Sequence, residues 1–376
     1  MYLEQVTIEN CRSIRQATLA LAPQVNFIRG ANAAGKSSVL EAIHILSTGR
    51  SFRTPRIQEV IQQGKNHILV AAKLTSESYS QTYPQTYPQS YPLGIQKTPR
   101  TTHIRINHQD VKQQAELTRH LPFAIIHPET LSLITGGPTV RRALVDWIAF
   151  YRSAEFHELW RQYQRVLQQR NACLRDSAQR YALGYWTEQL VKLVPILHQK
   201  RLEALKWLEL GLGRYQHLIA SMGILELKLS TGFPAYLDTT QAQEMLYFLE
   251  SKQPQEIAQG FSLYGAHRVD LHIQLAGQLA ERVASRGELK LLSIAFLLAK
   301  SYAIADQAPE RGLIGVDDLA AELDDTNQVL LYETLLTTQQ QLVITGTRLP
   351  TLLNLAATSA HLFTVQQGVI TPDSTF

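Results

Sequence analysis

A chain of 376 residues has room for two or three domain-sized units with real cores, and its 45% hydrophobic and 18% charged content is that of a globular protein. Two cysteines, Cys11 and Cys173, exclude a disulfide framework or a multi-thiolate metal site and suit a reducing compartment. Met1-Tyr2-Leu3-Glu4-Gln5 carries acid where a signal peptide needs a basic lead, and the most apolar run, residues 289–305, is interrupted by Lys290 and Lys300. The expectation is a cytoplasmic protein without a membrane span.

Residues 2–21 alternate as two strands around a turn at Asn10-Cys11-Arg12-Ser13, with Ala17, Leu19 and Leu21 on one face. The short apolar strand Val25-Asn26-Phe27-Ile28 then runs into Gly30-Ala31-Asn32-Ala33-Ala34-Gly35-Lys36-Ser37-Ser38. This is the pattern G-x-x-x-x-G-K-[ST], whose backbone N–H groups curl around nucleotide phosphates. The glycines admit turns that a Cβ forbids, Lys36 supplies a point charge for the outer phosphates, and the Ser37 hydroxyl is suited to Mg²⁺. Val39, Leu40, Ala42, Ile43 and Leu46 follow at helical spacing up to a C-cap at Gly49, so the phosphate is expected at a helix N-terminus. The basic loop Gly49-Arg50-Ser51-Phe52-Arg53-Thr54-Pro55 comes next and is a candidate for sensing nucleotide or touching DNA.

Residues 68–74 and 102–106 have the pattern of two hairpin arms. Between them a Tyr-Pro-Gln-Ser/Thr repeat spans residues 79–92; proline every fourth residue forbids a ladder, and the expectation is a disordered insertion over 76–96. A buried strand at 123–126 leads into His127-Pro128-Glu129. From Thr139 to about Met222 the pattern is helical, which predicts two antiparallel limbs of about 40 residues, at most about 60 Å long. Twelve basic against six acidic side chains between Arg141 and Lys206 give this stretch a local charge of +6 within a net +4, so a polyanion meets it first. Arg161 and Arg165, one turn apart, are the candidate phosphate contacts.

Strands are predicted at 224–232 and 261–275 with a helix around 241–250 between them, and Ser285-Arg286-Gly287-Glu288 opens the apolar helix. Gly312-Leu313-Ile314-Gly315-Val316 is an apolar strand ending in Asp317 and Asp318. An aspartate at such a strand end can hold Mg²⁺, and the next acid can orient or deprotonate an attacking water. Residues 341–345 form one more core strand, and 363–365 with 369–370 a closing hairpin through Gln367-Gly368.

In this order, the phosphate loop, Gly49–Arg53, Pro128 through Arg141-Arg142 to Asp146, Gly265-Ala266-His267-Arg268 with Asp270, Ser285–Leu289 and Asp317-Asp318 with Glu322-Leu323-Asp324 resemble the RecF family of DNA-repair ATPases, over residues 1–370. That family is similar to ABC-type and SMC-type heads. The resemblance implies an α/β P-loop NTPase: a lobe I of mixed sheets around the first helix (1–128 and 305–376) and an inserted, mainly helical lobe II (129–304) carrying the arm and signature motif. It implies ATP and Mg²⁺ sandwiched in an ATP-dependent homodimer, with Lys36, Ser37 and Asp317 from one protomer, Ser285 and Gly287 from the other, and Asp318 activating water. By the same resemblance the protein is a weak DNA-stimulated ATPase of recombinational repair, replication-fork maintenance and the SOS response. It binds duplex and single-stranded DNA at gaps and junctions and works with recombination mediators to load recombinase. Departures from the family pattern are Ala33 where glycine is common, Ala266 where proline is, Val269 where a second acid often stands, and Gly315 in the strand before Asp317. A transporter ATPase would carry a fuller Gly-Gly-Gln signature and an Asp-Glu pair; an SMC-type structural protein would carry a longer arm.

Overall fold

The computed structural model describes residues 2–75, 90–305, 312–318, 323–349 and 360–373. They divide into two compact units, residues 1–130 with 305–376 and residues 131–304.

In the first unit β1 (Tyr2–Cys11), β2 (Ile14–Ala20) and β3 (Val25–Arg29) lead into α1 (Lys36–Thr48). Then come β4 (Ile68–Thr75), β5 (Ser90–Lys97), β6 (Thr102–Ile106), β7 (Gln109–Val111), α2 (Gln114–His120) and β8 (Phe123–Ile126). The tight β1–β2 turn puts Asn10 and Arg12 at positive φ, 55° and 53°. Strands β2-β1-β4-β5-β6-β7 form one antiparallel sheet.

The expected hairpin of residues 68–74 with 102–106 is corrected here: β5 lies between those two strands and pairs with both. Residues 90–96, assigned to the insertion from sequence, are therefore ladder, while 76–89 lie outside the described residues. Proline was the misleading signal. Pro92 is exposed, and its carbonyl accepts from Asn107 N–H, so a strand that flanks a proline repeat still finds its bonds.

The second unit holds α3 (Ser132–Thr135), α4 (Pro138–Arg152), α5 (Phe156–Arg175), α6 (Leu183–Arg214), β9 (Leu225–Leu229), α7 (Ala242–Gln259), β10 (Leu271–Leu275), β11 (Gln278–Leu279), α8 (Ala280–Val283) and α9 (Arg286–Ala305). Instead of two limbs of about 40 residues, the helical stretch comprises helices of 15, 20 and 32 residues. The breaks fall at Ser153 and at Asp176, whose carboxylate caps a short 3₁₀ turn. Gly184, Pro195 and Gly211 do not break α6. At Gly211 a Cβ would stand 2.6 Å from the Ala299 carbonyl oxygen, so glycine there permits close packing of α6 on α9.

Residues 261–270, expected in strand, are instead an irregular segment whose carbonyls serve one buried and one half-buried arginine. Arg201, 0% exposed, pairs with Asp146 at 2.7 Å and donates to the Ala266 carbonyl, and Arg142 donates to that of Val269. Burial pushes the His267 pKa down to about 4. Its ring is therefore neutral near pH 7: Nε2–H donates to the Ser262 carbonyl and Nδ1 accepts from the Tyr163 hydroxyl.

The chain returns to the first unit with β12 (Leu313–Asp317), α10 (Asp325–Leu336), β13 (Gln341–Gly346), β14 (Ala360–Gln366) and β15 (Val369–Pro372). The second sheet runs β15-β14-β3-β13-β12-β8, parallel except for the β14–β15 hairpin. One core unites both sheets with α1, whose Val39, Leu40, Ala42, Ile43, Ile45 and Leu46 are all 0% exposed. Gln341 ties the layers: its amide bonds both backbone groups of Leu3 and the Ala22 carbonyl. Gly315 fits the same packing, because a Cβ there would lie 2.6 Å from the Phe123 ring. No helix among the described residues is long and apolar enough to cross a membrane.

Tyr91 is 3% exposed and its hydroxyl lies 2.8 Å from His120 Nδ1. Deleting residues 79–92, harmless if that stretch were all outside the sheet, removes this residue from β5. The expected result is a melting temperature roughly 5 °C or more below that of a 79–89 deletion. Equal melting temperatures by circular dichroism would contradict the β5 assignment.

Candidate nucleotide site

Three parallel strands of the second sheet end side by side: β3 enters the glycine-rich loop, β12 ends at Asp317, and β13 ends at Gly346. The register pairs Asp317 with Thr345 and Gly346 with Arg29. Ligands of open α/β sheets bind at such carboxyl edges.

The loop wraps the start of α1. Gly35, at φ 111°, is the N-cap; no side chain caps the helix and no acid stands in its first turn. The first-turn amides of a helix lack intrahelical acceptors, so this end attracts an anion. Lys36 Nζ donates to the carbonyls of Gly30 and Ala31 at 2.9 and 3.0 Å, folding its charge back over the loop. From the other side Gly368 N–H donates to the Ala34 carbonyl at 2.9 Å, so the closing hairpin props the loop from behind. Ala33 has φ 63°, the left-handed region where a Cβ costs roughly 1–2 kcal/mol. That is the physical reason glycine suits this position.

The oxygen groups suited to a divalent cation meet one residue further on. Ser37 Oγ donates to Asp317 Oδ1 at 2.7 Å, and Thr345 Oγ1 donates to the same oxygen at 2.7 Å. Asp317 is 8% exposed, so this carboxylate sits at the floor of the site. Hydroxyl plus carboxylate is a hard-oxygen pair suited to Mg²⁺. Asp318 takes φ 46°, and its N–H faces the carbonyl and hydroxyl oxygens of Thr345, both at 3.2 Å.

Glu41, 0% exposed on α1, explains how the basic loop is held. It receives a bidentate pair from Arg12 at 2.9 Å and a hydrogen bond from Ser51 Oγ at 2.5 Å. Ser51 Oγ in turn accepts from Arg53 N–H, and the Arg50 carbonyl meets His44 Nδ1 at 2.7 Å. Arg50 and Arg53 are exposed, and neither makes an ion pair among the described residues.

The site residues inferred from sequence thus fall in two groups. Gly30 to Ser38, Asp317, Asp318, Arg50 and Arg53 belong to the first unit, and Ser285, Gly287, Arg161 and Arg165 to the second. Ser285 N–H donates to Glu288 Oε2 at 2.8 Å while its hydroxyl accepts from Glu288 N–H, a capping box that leaves residues 285–287 exposed at the start of α9. Arg161 pairs with Glu158 at 3.2 Å, whereas Arg165 is exposed without an ion pair among the described residues.

Three contributors were missed. Thr345 and the Arg12–Glu41–Ser51 cluster have weak sequence signals: a hydroxyl at a strand end, and one acid inside an apolar helical stripe. His127, following β8 beside β12, lies against Phe52 with ring centroids 4.8 Å apart and the rings tilted by 52°, and burial lowers its pKa while the Glu129 and Asp317 charges oppose that. Val269 is 0% exposed and Asp270 is committed to Arg141 at 2.8 Å, so the missing second acid falls at a core position.

The chain matches the family model described as RecF/RecN/SMC N terminal domain over residues 2–371. It is 32% identical over 376 residues to the DNA replication and repair protein RecF of Proteus mirabilis, covering 98% of this chain and 99% of that one. To RecF of Shigella boydii it is 32% identical over 372 residues, covering 99% and 100%. Among solved structures it resembles the recombination mediator protein RecF bound to ATP, at TM-score 0.84 and 22% identity over 99% of this chain and 98% of that one. It also resembles an Smc head bound to the C-winged helix domain of ScpA, at TM-score 0.58 and 15% identity over 99% and 97%.

Ala33→Gly removes the left-handed strain without touching a hydrogen-bonded group. Stability in urea is expected to rise by about 1 kcal/mol. A fall in stability would show that this loop conformation is not the one adopted in solution.

Proposed function

This chain belongs to the RecF family of the RecF/RecN/SMC group, and from that membership we propose that it is an ATP-switched DNA-binding protein of replication and recombinational repair. ATP with Mg²⁺ closes two copies over DNA at gaps and single-strand/double-strand junctions, where the dimer, with mediator proteins as partners, helps load recombinase. Slow hydrolysis releases the DNA. The observation that carries this reading is the convergence of the phosphate loop, Ser37 and Asp317 at one sheet edge, with Ser37 Oγ and Asp317 Oδ1 only 2.7 Å apart.

Lys36 leaves the carbonyls of Gly30 and Ala31 to meet the outer phosphates, while the amides at the start of α1 take the oxygens between them. Ser37 and Asp317 would hold Mg²⁺, which would offset phosphate charge. Asp318 faces the attacking water and accepts its proton; being one methylene shorter than glutamate, it reaches less far, which favours slow turnover. The exposed Ser285–Gly287 segment offers the N-terminus of α9 to the γ-phosphate held by a second copy.

Lys36→Ala is expected to abolish binding of a fluorescent ATP analogue, because Lys36 is the one cation of the loop Gly30–Ser38; full-strength binding would overturn the nucleotide site. Ser285→Asp keeps the helix cap but sets an anion against the partner's phosphate. It is expected to bind ATP normally and to lose ATP-dependent dimerisation in light scattering with duplex DNA. Dimerisation equal to wild type would remove the shared site.

Arg161→Ala with Arg165→Ala is expected to weaken duplex binding regardless of sequence, because arginines that meet only phosphate read no base information. The slope of log affinity against log salt should fall in magnitude by about 1 for each phosphate that is no longer neutralised. An unchanged slope here, with a smaller slope on changing Arg50 and Arg53, would move the DNA to the first unit.

A further inference from the structure

The hairpin of α5 and α6 closes through the 3₁₀ turn Ser177–Ala182, which carries Tyr181, and Tyr185 follows in the first turn of α6. Tyr181 is 91% exposed and Tyr185 is 58% exposed, and neither hydroxyl has a hydrogen-bond partner among the described residues. An exposed tyrosine ring is apolar surface left in water, and two of them four residues apart form a patch. The patch has a firm base. Cys173, Leu174 and Leu183 form a small buried cluster with Trp186 packed against it, and the Tyr185 ring meets Trp186 edge-on at 5.0 Å.

The charges around this tip are unevenly spent. Arg161, Arg165, Gln168 and, two turns further on, Arg175 share one face of α5, a span of about 21 Å at 1.5 Å per residue. Arg165, Arg175, Arg180 and Lys192 are exposed and make no ion pair among the described residues. Of the nearby acids, Glu158 is held by Arg161 and Asp176 caps the 3₁₀ turn through Ala178 N–H and the Gln179 amide, leaving Glu188 exposed. The surface therefore favours an anion that also carries flat apolar faces. A nucleic-acid strand with unpaired bases has both.

We propose that Tyr181 and Tyr185 form a stacking platform for unpaired bases of a strand whose phosphates follow the basic face of α5 toward the tip. This rests on the DNA-binding reading and deepens it: duplex phosphates engage the arginines, and the single-stranded continuation engages the rings. Base–aromatic stacking tolerates any sequence, because every base has a π-face, and arginine beside it adds cation–π attraction.

The test uses the full chain, with fluorescence anisotropy on a blunt duplex and on the same duplex bearing an oligo(dT) tail. Tyr181→Ala with Tyr185→Ala is expected to lose at least about fivefold in affinity for the tailed duplex, the lower end for one stacked base, with blunt-duplex affinity unchanged. Tyr181→Phe with Tyr185→Phe keeps the π-faces and is expected to keep wild-type affinity for both. Wild-type binding of the tailed duplex by the alanine variant would overturn the platform, as would an equal loss on both duplexes. If wild type binds neither duplex, the DNA-binding reading itself fails; if the Arg161/Arg165 variant loses duplex affinity while the tyrosine variants lose nothing, only the platform does.

Discussion

A single carboxylate oxygen organises this site. Asp317 Oδ1 accepts hydroxyls from Ser37 and Thr345, each at 2.7 Å, and so joins the ends of β12 and β13 to the first turn of α1. A carboxylate that is 8% exposed needs such donors, since burying it without them is costly. The same oxygens suit a divalent cation, so the contacts that stabilise the floor of the site also preorganise it.

The frame around that oxygen is stiff because α1 lies inside one core shared by both sheets of the first unit. Its one buried acid, Glu41, is fully satisfied by Arg12 and Ser51, and those two residues come from the β1–β2 turn and the basic loop. A buried carboxylate of this kind fixes geometry more than it adds stability. Through it the antiparallel sheet, the phosphate-binding helix and the segment carrying Arg50 and Arg53 share one set of hydrogen bonds. A shift of α1 would therefore be felt at the basic loop, which is the kind of coupling a nucleotide switch uses.

Much of this was legible in the sequence. The glycine-rich loop, its flanking strand and helix, the Gly49 cap, Asp317 at a strand end and the closing hairpin follow from period, turn chemistry and spacing. What failed did so for physical reasons. Residues 90–96 form a ladder despite the neighbouring prolines, because strand pairing depends on which N–H faces the neighbour and not on composition. Residues 261–270 were expected in strand, yet the carbonyls of Ala266 and Val269 are claimed by Arg201 and Arg142, a tertiary demand that no local pattern reveals. Gly211 lies inside α6, where it permits close packing on Ala299. Thr345 and the Arg12–Glu41 pair were hidden because their partners are far away in the chain.

At the centre of the proposed function is Asp317 as a residue that would hold Mg²⁺ together with the nucleotide. Calorimetric titration of ATP at increasing Mg²⁺ concentration, for wild type and for Asp317→Asn, tests it most directly. The expected result is a wild-type affinity that strengthens with Mg²⁺ and a variant that still binds ATP but no longer responds to the metal. The same Mg²⁺ dependence in both proteins would contradict the account.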